Sequence, residues 1–435
     1  MVGLTSSVSE QQTEFVKEVH AFKSRHPLAQ KAARDIHDMH AVKLAMSRTK
    51  PPRHDRYSLW KLLPGKPQVD ELVQLYLDSL ENIYHVLHVP SFLKRYDEFW
   101  QQPADSHTNS PMIALILLMV ACVACVDEPA ELQFVGVTAA QRSKMVTVII
   151  AVDDWIQNRS HKYLTLEYFQ VRCILLVAKT IIGVHLKRWY QDIGSLLRQG
   201  MSIGLHLEVE GSKIGAIISD FDKEMRRRIW AAICELEITI CLLRGLPSCL
   251  QGLQVTCRSP SLIFDDQLAC PATGHLDEQS QPPYKRIRYL VHMSRHSALR
   301  LDLVHRVNGS TFDGNLEELL RLEDETMAAC RQYDFDHPGA GPSAIHIAKT
   351  YFKLEFLRLL LFINRRAAVR SKSERVRKWA TFRCTDLASQ IIREHQDVDE
   401  RTRMLLTYLH MPAYTAAISL SLDLAVMIRC KTESY

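Results

Sequence analysis

The chain has few of the features that mark a membrane, secreted or catalytic protein. Its longest uninterrupted apolar run, Met112–Val126, is 15 residues, short of the roughly 20 a helix needs to cross a bilayer. No apolar signal-peptide core lies near Met1. No segment of useful length alternates apolar and polar residues as a half-buried strand would, and no short repeat recurs. His-Glu-x-x-His, a phosphate-binding glycine loop and Gly-x-Gly-x-x-Gly are all missing. The formal charge of +5 on 435 residues is too mild for a field that would gather nucleic acid or an anionic membrane over the whole protein. Closely paired cysteines are almost absent: of 11, only Cys122 and Cys125 have the Cys-x-x-Cys spacing, inside that apolar run. The others, such as Cys173, Cys234 and Cys241, are scattered through apolar helical stretches. Both facts predict reduced, buried thiols in a soluble intracellular protein rather than a disulfide framework or a zinc site.

What is present is helical patterning. Hydrophobic residues make up 47% of the chain and charged residues 24%, a globular balance. The organising stretch is Tyr190–Leu250. Ile193, Leu196, Leu197 and Met201 form one stripe, followed by Gly204 as a helix terminator. A stronger helix follows, with Met225, Ile229, Ala232, Ile233, Leu236, Ile240 and Leu243 spaced by three and four. Ser219 with Asp222 resembles a capping box, and Gly245 and Pro247 end the helix. Upstream, Leu72, Leu75, Tyr76, Leu80 and Ile83 predict one helical face; Pro90 interrupts it and Ser91 caps a short helix to Trp100. Further helices are predicted over 112–126, 141–157, 163–183, 284–307, 316–332, 344–366, 375–394 and 412–429, with a weaker one over 29–46.

The order of motifs resembles the middle homology region of the fungal Zn2Cys6, or binuclear zinc-cluster, transcription factors. The pieces are His88-Val89-Pro90-Ser91-Phe92, then Gly204-Leu205-His206 at a helix end, then Glu224-Met225-Arg226-Arg227-Arg228-Ile229-Trp230, then Gly245-Leu246-Pro247, and a weaker segment ending in Asp265-Asp266. The Leu-rich run ending at Asn364-Arg365-Arg366 stands where the family often has His-Arg-Pro. The resemblance covers about residues 68–430. It implies an all-α, multi-helical regulatory domain: an N-terminal arm at 1–67, a core at 68–270, a linker at 271–283, and the helical C-terminal part of the same region at 284–435. It also implies a nuclear transcriptional regulator of a metabolic or secondary-metabolite pathway. Its partners would be the transcription machinery or another transcription factor, with a homodimer and a small-molecule effector as further family possibilities. No membrane partner follows.

The family's DNA reader is a module of six cysteines around two zinc ions. This sequence does not contain that pattern, so no cofactor is expected in this chain; zinc enters only with an N-terminal cluster, and DNA is reached indirectly or through such a module. Two readings stay open: a regulatory domain working with a separate reader module, or a reader-less modulator of another factor. A third, an all-helical prenyl-diphosphate enzyme, draws on the acidic pairs Asp153-Asp154 and Asp265-Asp266, but neither has the further acids a magnesium site would need. Three successive arginines fan over about 200° of a helix and cannot share one partner. Arg226, Arg227 and Arg228 are therefore expected to pair in part with acids such as Glu224 or Asp222, with DNA contact as the alternative. The basic cluster from Arg365 to Lys378 reads either as a solvated face or as a contact for nuclear import or an acidic partner.

Overall fold

The computed structural model describes residues 59–102, 110–126, 137–158, 164–209, 218–263, 288–309, 315–332 and 342–410, with scattered positions elsewhere. Nearly all of the arm before residue 59, the 271–283 linker and nearly all of the 412–429 helix lie outside the described residues. Among the described residues there is no strand; the fold is all-α.

A 3-10 turn, Leu59–Leu62, precedes α1 (Lys66–Asp78), α2 (Glu81–Tyr84), α3 (Val89–Gln101), α4 (Pro111–Val123), α5 (Val137–Gln157), α6 (Leu166–Ile182), α7 (Trp189–Ser202) and α8 (Asp220–Arg244). Then come α9 (Arg288–Arg295), α10 (Ser297–Asn308), α11 (Leu316–Arg331), α12 (Pro342–Arg370), α13 (Glu374–Gln396) and α14 (Glu400–His410). The apolar run forms α4, buried on every side from Met112 to Val123, which is why it lacks an amphipathic pattern. It packs between α1, α5 and α6. Helix α8 joins the two halves, meeting α6 and α7 on one side and α9 and α10 on the other. Helices α12 and α13 form an antiparallel hairpin, and α14 packs on α6. One hydrophobic cluster runs from Leu59 to Ala416 through all these elements.

Local chemistry corrects three expectations. The predicted single helix from Leu72 to Ile83 is split. Ser79 has φ −120° and its hydroxyl bonds Leu75 O at 2.5 Å, so the chain leaves α1 and restarts as α2. Ser91 does not cap α3. His88 does, its Nδ1 accepting from Ser91 N at 3.3 Å, while Pro90 sits in the first turn, where its missing N–H costs nothing. The region 284–307 is likewise broken, at His296, into α9 and α10.

Candidate functional site

Helix α8 begins as predicted: Ser219 Oγ accepts from Asp222 N at 3.0 Å. The Asp222 carboxylate accepts from the Ser219 hydroxyl at 2.7 Å, so the side-chain pair bonds directly instead of returning to the Ser219 backbone as a full capping box does. The helix ends at Gly245 in the left-handed region at φ +65°, with Leu246 N donating to Cys241 O at 3.1 Å. Pro247 follows in the turn, and its carbonyl accepts from Tyr190 Oη at 2.8 Å. Glu237, about two turns before Gly245, gathers the same turn through Cys249 N at 2.7 Å and Ser248 Oγ at 3.1 Å.

The three arginines diverge to three different segments. Arg226 Nη2 donates to Ile203 O at 3.0 Å and Gly204 O at 2.9 Å, closing the carbonyl end of α7. Gly204 has φ +71°, and Leu205 beside it is fully buried. Arg227 forks onto Glu208 with Nε at 3.1 Å and Nη2 at 3.0 Å. Glu208 also accepts from Arg258 N at 3.3 Å, and the His206 carbonyl accepts from Thr256 N and Cys257 N, each at 3.0 Å. The loop after α7 is thus laced to the stretch after α8. The His206 ring lies 5.9 Å from that of Trp230, which is buried at 4% exposure.

Arg228 is completely buried. Its Nε donates to Glu224 at 3.3 Å and its Nη1 to Asp265 Oδ1 at 2.5 Å, with His85 Nε2 3.0 Å from the same Nη1. Asp265 Oδ2 accepts from Val89 N at 2.9 Å, and His88 Nε2 sits 2.6 Å from the Asp265 carbonyl. Glu224 in turn accepts from Ser261 N at 3.0 Å. Phe92 lies buried on α3 just beyond, and the His88 ring meets Phe221 edge-on at 5.1 Å. Burial pushes the Asp265 carboxyl up, but the His85 and Arg228 charges and the His85 hydrogen bond outweigh it and hold it well below the usual carboxylate range.

The structure therefore brings His88, Glu224, Arg228 and Asp265 into one cluster and places Arg226, Arg227, Gly204 and His206 in a second around the α7 exit. Gly245 and Pro247 stand apart, at the other end of α8. Asp266 lies outside the described residues. Arg228 pairs with Glu224 as expected, but Asp222 is held by Ser219. His85 and Glu208 escaped the sequence reading. His85, at φ +41°, has only its place three residues before the start of the His-x-Pro segment as a signal. Glu208 has only its place two residues after His206.

Among the described residues, the groups that sequence patterns could suggest as reacting centres are held in structural contacts. Asp153 is bound to Lys179 at 2.7 Å, and Asp192 shares that ammonium at 2.8 Å, all three buried; the first member of that acidic pair is part of a structural bridge between α5, α6 and α7, while Asp154 faces solvent. Gly200-Met201-Ser202-Ile203-Gly204 matches the Gly-x-Ser-x-Gly spacing. It lies at the end of a helix rather than on a strand-to-helix elbow, and the Ser202 hydroxyl donates to Gln199 O at 2.7 Å. Cys122 and Cys125 are buried, and burial raises the Cys122 thiol far above its ordinary value. In the basic cluster, Arg365 donates to Ser419 O at 2.8 Å, Arg366 to Val307 O at 2.9 Å and Arg377 to Ser371 O at 2.8 Å. These three tie backbone carbonyls together, while Arg370, Lys372, Arg375 and Lys378 are exposed, so the solvated face expected for the cluster is present beside them.

The match to known proteins falls on this architecture. The family model for the fungal specific transcription factor domain matches residues 73–300, just over half of the chain. The chain belongs to that family. This is a family of transcription factors and not of enzymes. The chain is 27% identical over 325 residues to transcription factor opdR of Penicillium oxalicum, covering 72% of this chain and 39% of that protein. It is 24% identical over 339 residues to transcription factor lepE of Aspergillus flavus, covering 77% and 39%. The equisetin cluster transcription factor eqxF of Fusarium heterosporum is 27% identical over 225 residues, covering 49% and 31%. The resemblance to the middle region of fungal zinc-cluster factors thus holds, for that region alone. The chain spans 39% of the length of the first two relatives. Among the described residues no helix is long and apolar enough to cross a membrane.

Proposed function

We propose that this chain is the regulatory part of a nuclear transcriptional regulator that controls a metabolic or secondary-metabolite gene set. The observation that carries the reading is the fungal specific transcription factor domain over residues 73–300, joined to relatives named as transcription factors, one of them for a biosynthetic cluster. In this reading the motif residues His88, Glu224, Arg226, Arg227, Arg228 and Asp265 act by fixing the segments around α8. DNA is reached through a zinc module or a partner factor, and the transcription machinery is the downstream contact. Asp265 is already neutralised by Arg228, which speaks against its use as a magnesium ligand.

The test is deletion of the gene in its native organism, followed by transcript profiling and metabolite analysis. The expected result is coordinated loss or gain of one group of biosynthetic transcripts with their product, restored by the full-length gene. A deletion strain with unchanged transcripts under conditions where the gene is expressed would overturn the reading.

A further inference from the structure

The turn that closes α8 brings two cysteines to one carboxylate. Cys241 lies in the last turn of the helix, and its Sγ donates to Glu237 Oε1 at 3.4 Å. The same oxygen accepts from Cys249 N at 2.7 Å and from Ser248 Oγ at 3.1 Å. Cys241 Sγ also lies 3.6 Å from the carbonyl oxygen of Pro247, two residues before Cys249. The Tyr190 hydroxyl, which donates to that carbonyl at 2.8 Å, senses both thiols and Glu237, and Cys241 senses Cys249. Two bridging atoms, one a carboxylate oxygen and one a carbonyl oxygen, therefore hold the buried sulfur against the segment that carries the second cysteine.

The two thiols differ in access. Cys249 is exposed, while Cys241 is fully buried beneath the turn. Burial first, and then the Glu237 charge, push the Cys241 thiol far above its ordinary value. An oxidant arriving from solvent therefore meets Cys249 first, and Cys241 reacts with what the turn presents to it. Glu237 is itself fully buried, and its Oε2 has no hydrogen-bond partner among the described residues, so the carboxylate has room for the proton that Cys241 must lose. A disulfide needs its two Cα atoms about 5.5–6 Å apart. The turn has the freedom to make that approach: Pro247, Cys249, Gln251 and Gly252 are exposed, and no other helix lies between them and Cys241 Sγ, which already touches Pro247 O.

We propose that Cys241 and Cys249 form a reversible disulfide when the protein meets hydrogen peroxide, with Cys249 oxidised first and Cys241 as the resolving thiol. In the first step the Cys249 sulfur takes one oxygen of the peroxide, the O–O bond breaks, and the products are a sulfenic acid and water. In the second, Cys241 Sγ attacks the Cys249 sulfur and its proton passes to Glu237. The S–O bond breaks, and the departing hydroxide takes that proton away as water. The two thiols give up two electrons and two protons, and the peroxide ends as two waters. A dithiol reductant restores both thiols. The bond fastens the turn to α8 where two other helices already grip it. Asn308 at the end of α10 donates to Cys241 O at 3.0 Å and Leu246 O at 2.8 Å, and Tyr190 of α7 holds the Pro247 carbonyl. None of this depends on the transcriptional reading.

The experiment treats the reduced full chain with stoichiometric hydrogen peroxide and blocks the remaining thiols with N-ethylmaleimide. Linkages are then mapped by mass spectrometry of a non-reducing digest. Cuts after Glu237, Arg244 and Leu253 place Cys234, Cys241, Cys249 and Cys257 on four separate peptides. The expected product is a Cys241–Cys249 linked peptide, lighter than its two parents by two hydrogens and lost on adding dithiothreitol. Cys249→Ser, a conservative change at an exposed position, should abolish the link and leave Cys241 unmodified. Cys241→Ala should leave Cys249 as a sulfenic acid that dimedone traps; if that variant does not fold, Cys249→Ser still carries the test. The same treatment in urea should scatter links among the cysteines. No Cys241–Cys249 link, a link from either residue to a different cysteine in the folded chain, or an equal yield from the urea-unfolded chain would each overturn the pairing. Failure here leaves the transcriptional reading intact, and unchanged transcripts on gene deletion would sink that reading without touching this pair.

Discussion

The Asp265 junction gives the sharpest quantitative expectation. Asp265→Asn removes the negative charge facing a fully buried Arg228 at 2.5 Å. At an effective dielectric near 20, two charges about 3 Å apart attract by on the order of 5 kcal/mol, from which the desolvation of both groups is subtracted. Breaking one side of a buried pair costs about 3–5 kcal/mol, because the other charge is left uncompensated. Two details place this substitution at the lower end. Arg228 keeps Glu224 at 3.3 Å, and an Asn oxygen still accepts from Val89 N. We expect about 3 kcal/mol of destabilisation at pH 7, read by urea unfolding followed by far-UV circular dichroism. The pH dependence has a definite sign. The folded carboxyl lies below its ordinary value, so its contribution is fully present above the unfolded pKa of about 3.9 and declines as pH falls toward the folded one. The difference between wild type and Asp265→Asn should therefore narrow below pH 4, by about 1 kcal/mol at pH 3. Equal urea midpoints at pH 7, or a gap that stays constant down to pH 3, would refute the argument.

Trp230→Ala should cost about 3–5 kcal/mol, because the indole is buried at 4% exposure against α7 and the His206 ring; an unchanged urea midpoint would place the ring in solvent. Gly204→Ala should cost about 1–2 kcal/mol, the penalty for a side chain in the left-handed region, since φ is +71° and a Cβ would meet nothing closer than 3.7 Å. Gly65→Ala, at φ −60° with open space around it, is the control and should fall within about 0.5 kcal/mol of wild type.

The helices were legible wherever an apolar stripe repeated at three and four, as along α8, or where the run was apolar throughout, as in α4. Helix α14 was not. Its apolar residues, Met404, Leu405, Leu406 and Leu409, alternate with Arg401, Arg403 and His410 in too short a window, and it is fixed by packing on α6. The split at Ser79 was hidden because the apolar spacing continues across it, while the break is made by a side-chain-to-backbone bond that periodicity does not register. The motif residues were visible as a set, but their pairing was not. Arg228 does reach Glu224, one turn before it, but it also reaches Asp265, 37 residues away, and Arg227 forks onto Glu208. Position in sequence names the nearest acid; the helix angle and the entry paths of the loops decide which one is reached.

That angle also explains why three arginines stand together. Successive residues on a helix point about 100° apart, so a run of three cannot strengthen a single contact but can seize three strands of irregular chain at the same height. Arg226 takes the end of α7, Arg227 the loop behind it, and Arg228 the segment carrying Asp265 along with His85. The first two are packed against carbonyl and carboxylate partners and the third is wholly inside the protein. A phosphate backbone would have to displace Glu208 or Asp265 to gain the second or third guanidinium. The cationic run that most suggests nucleic acid in the sequence is, in the fold, the knot that holds the regulatory domain's connecting segments to its central helix.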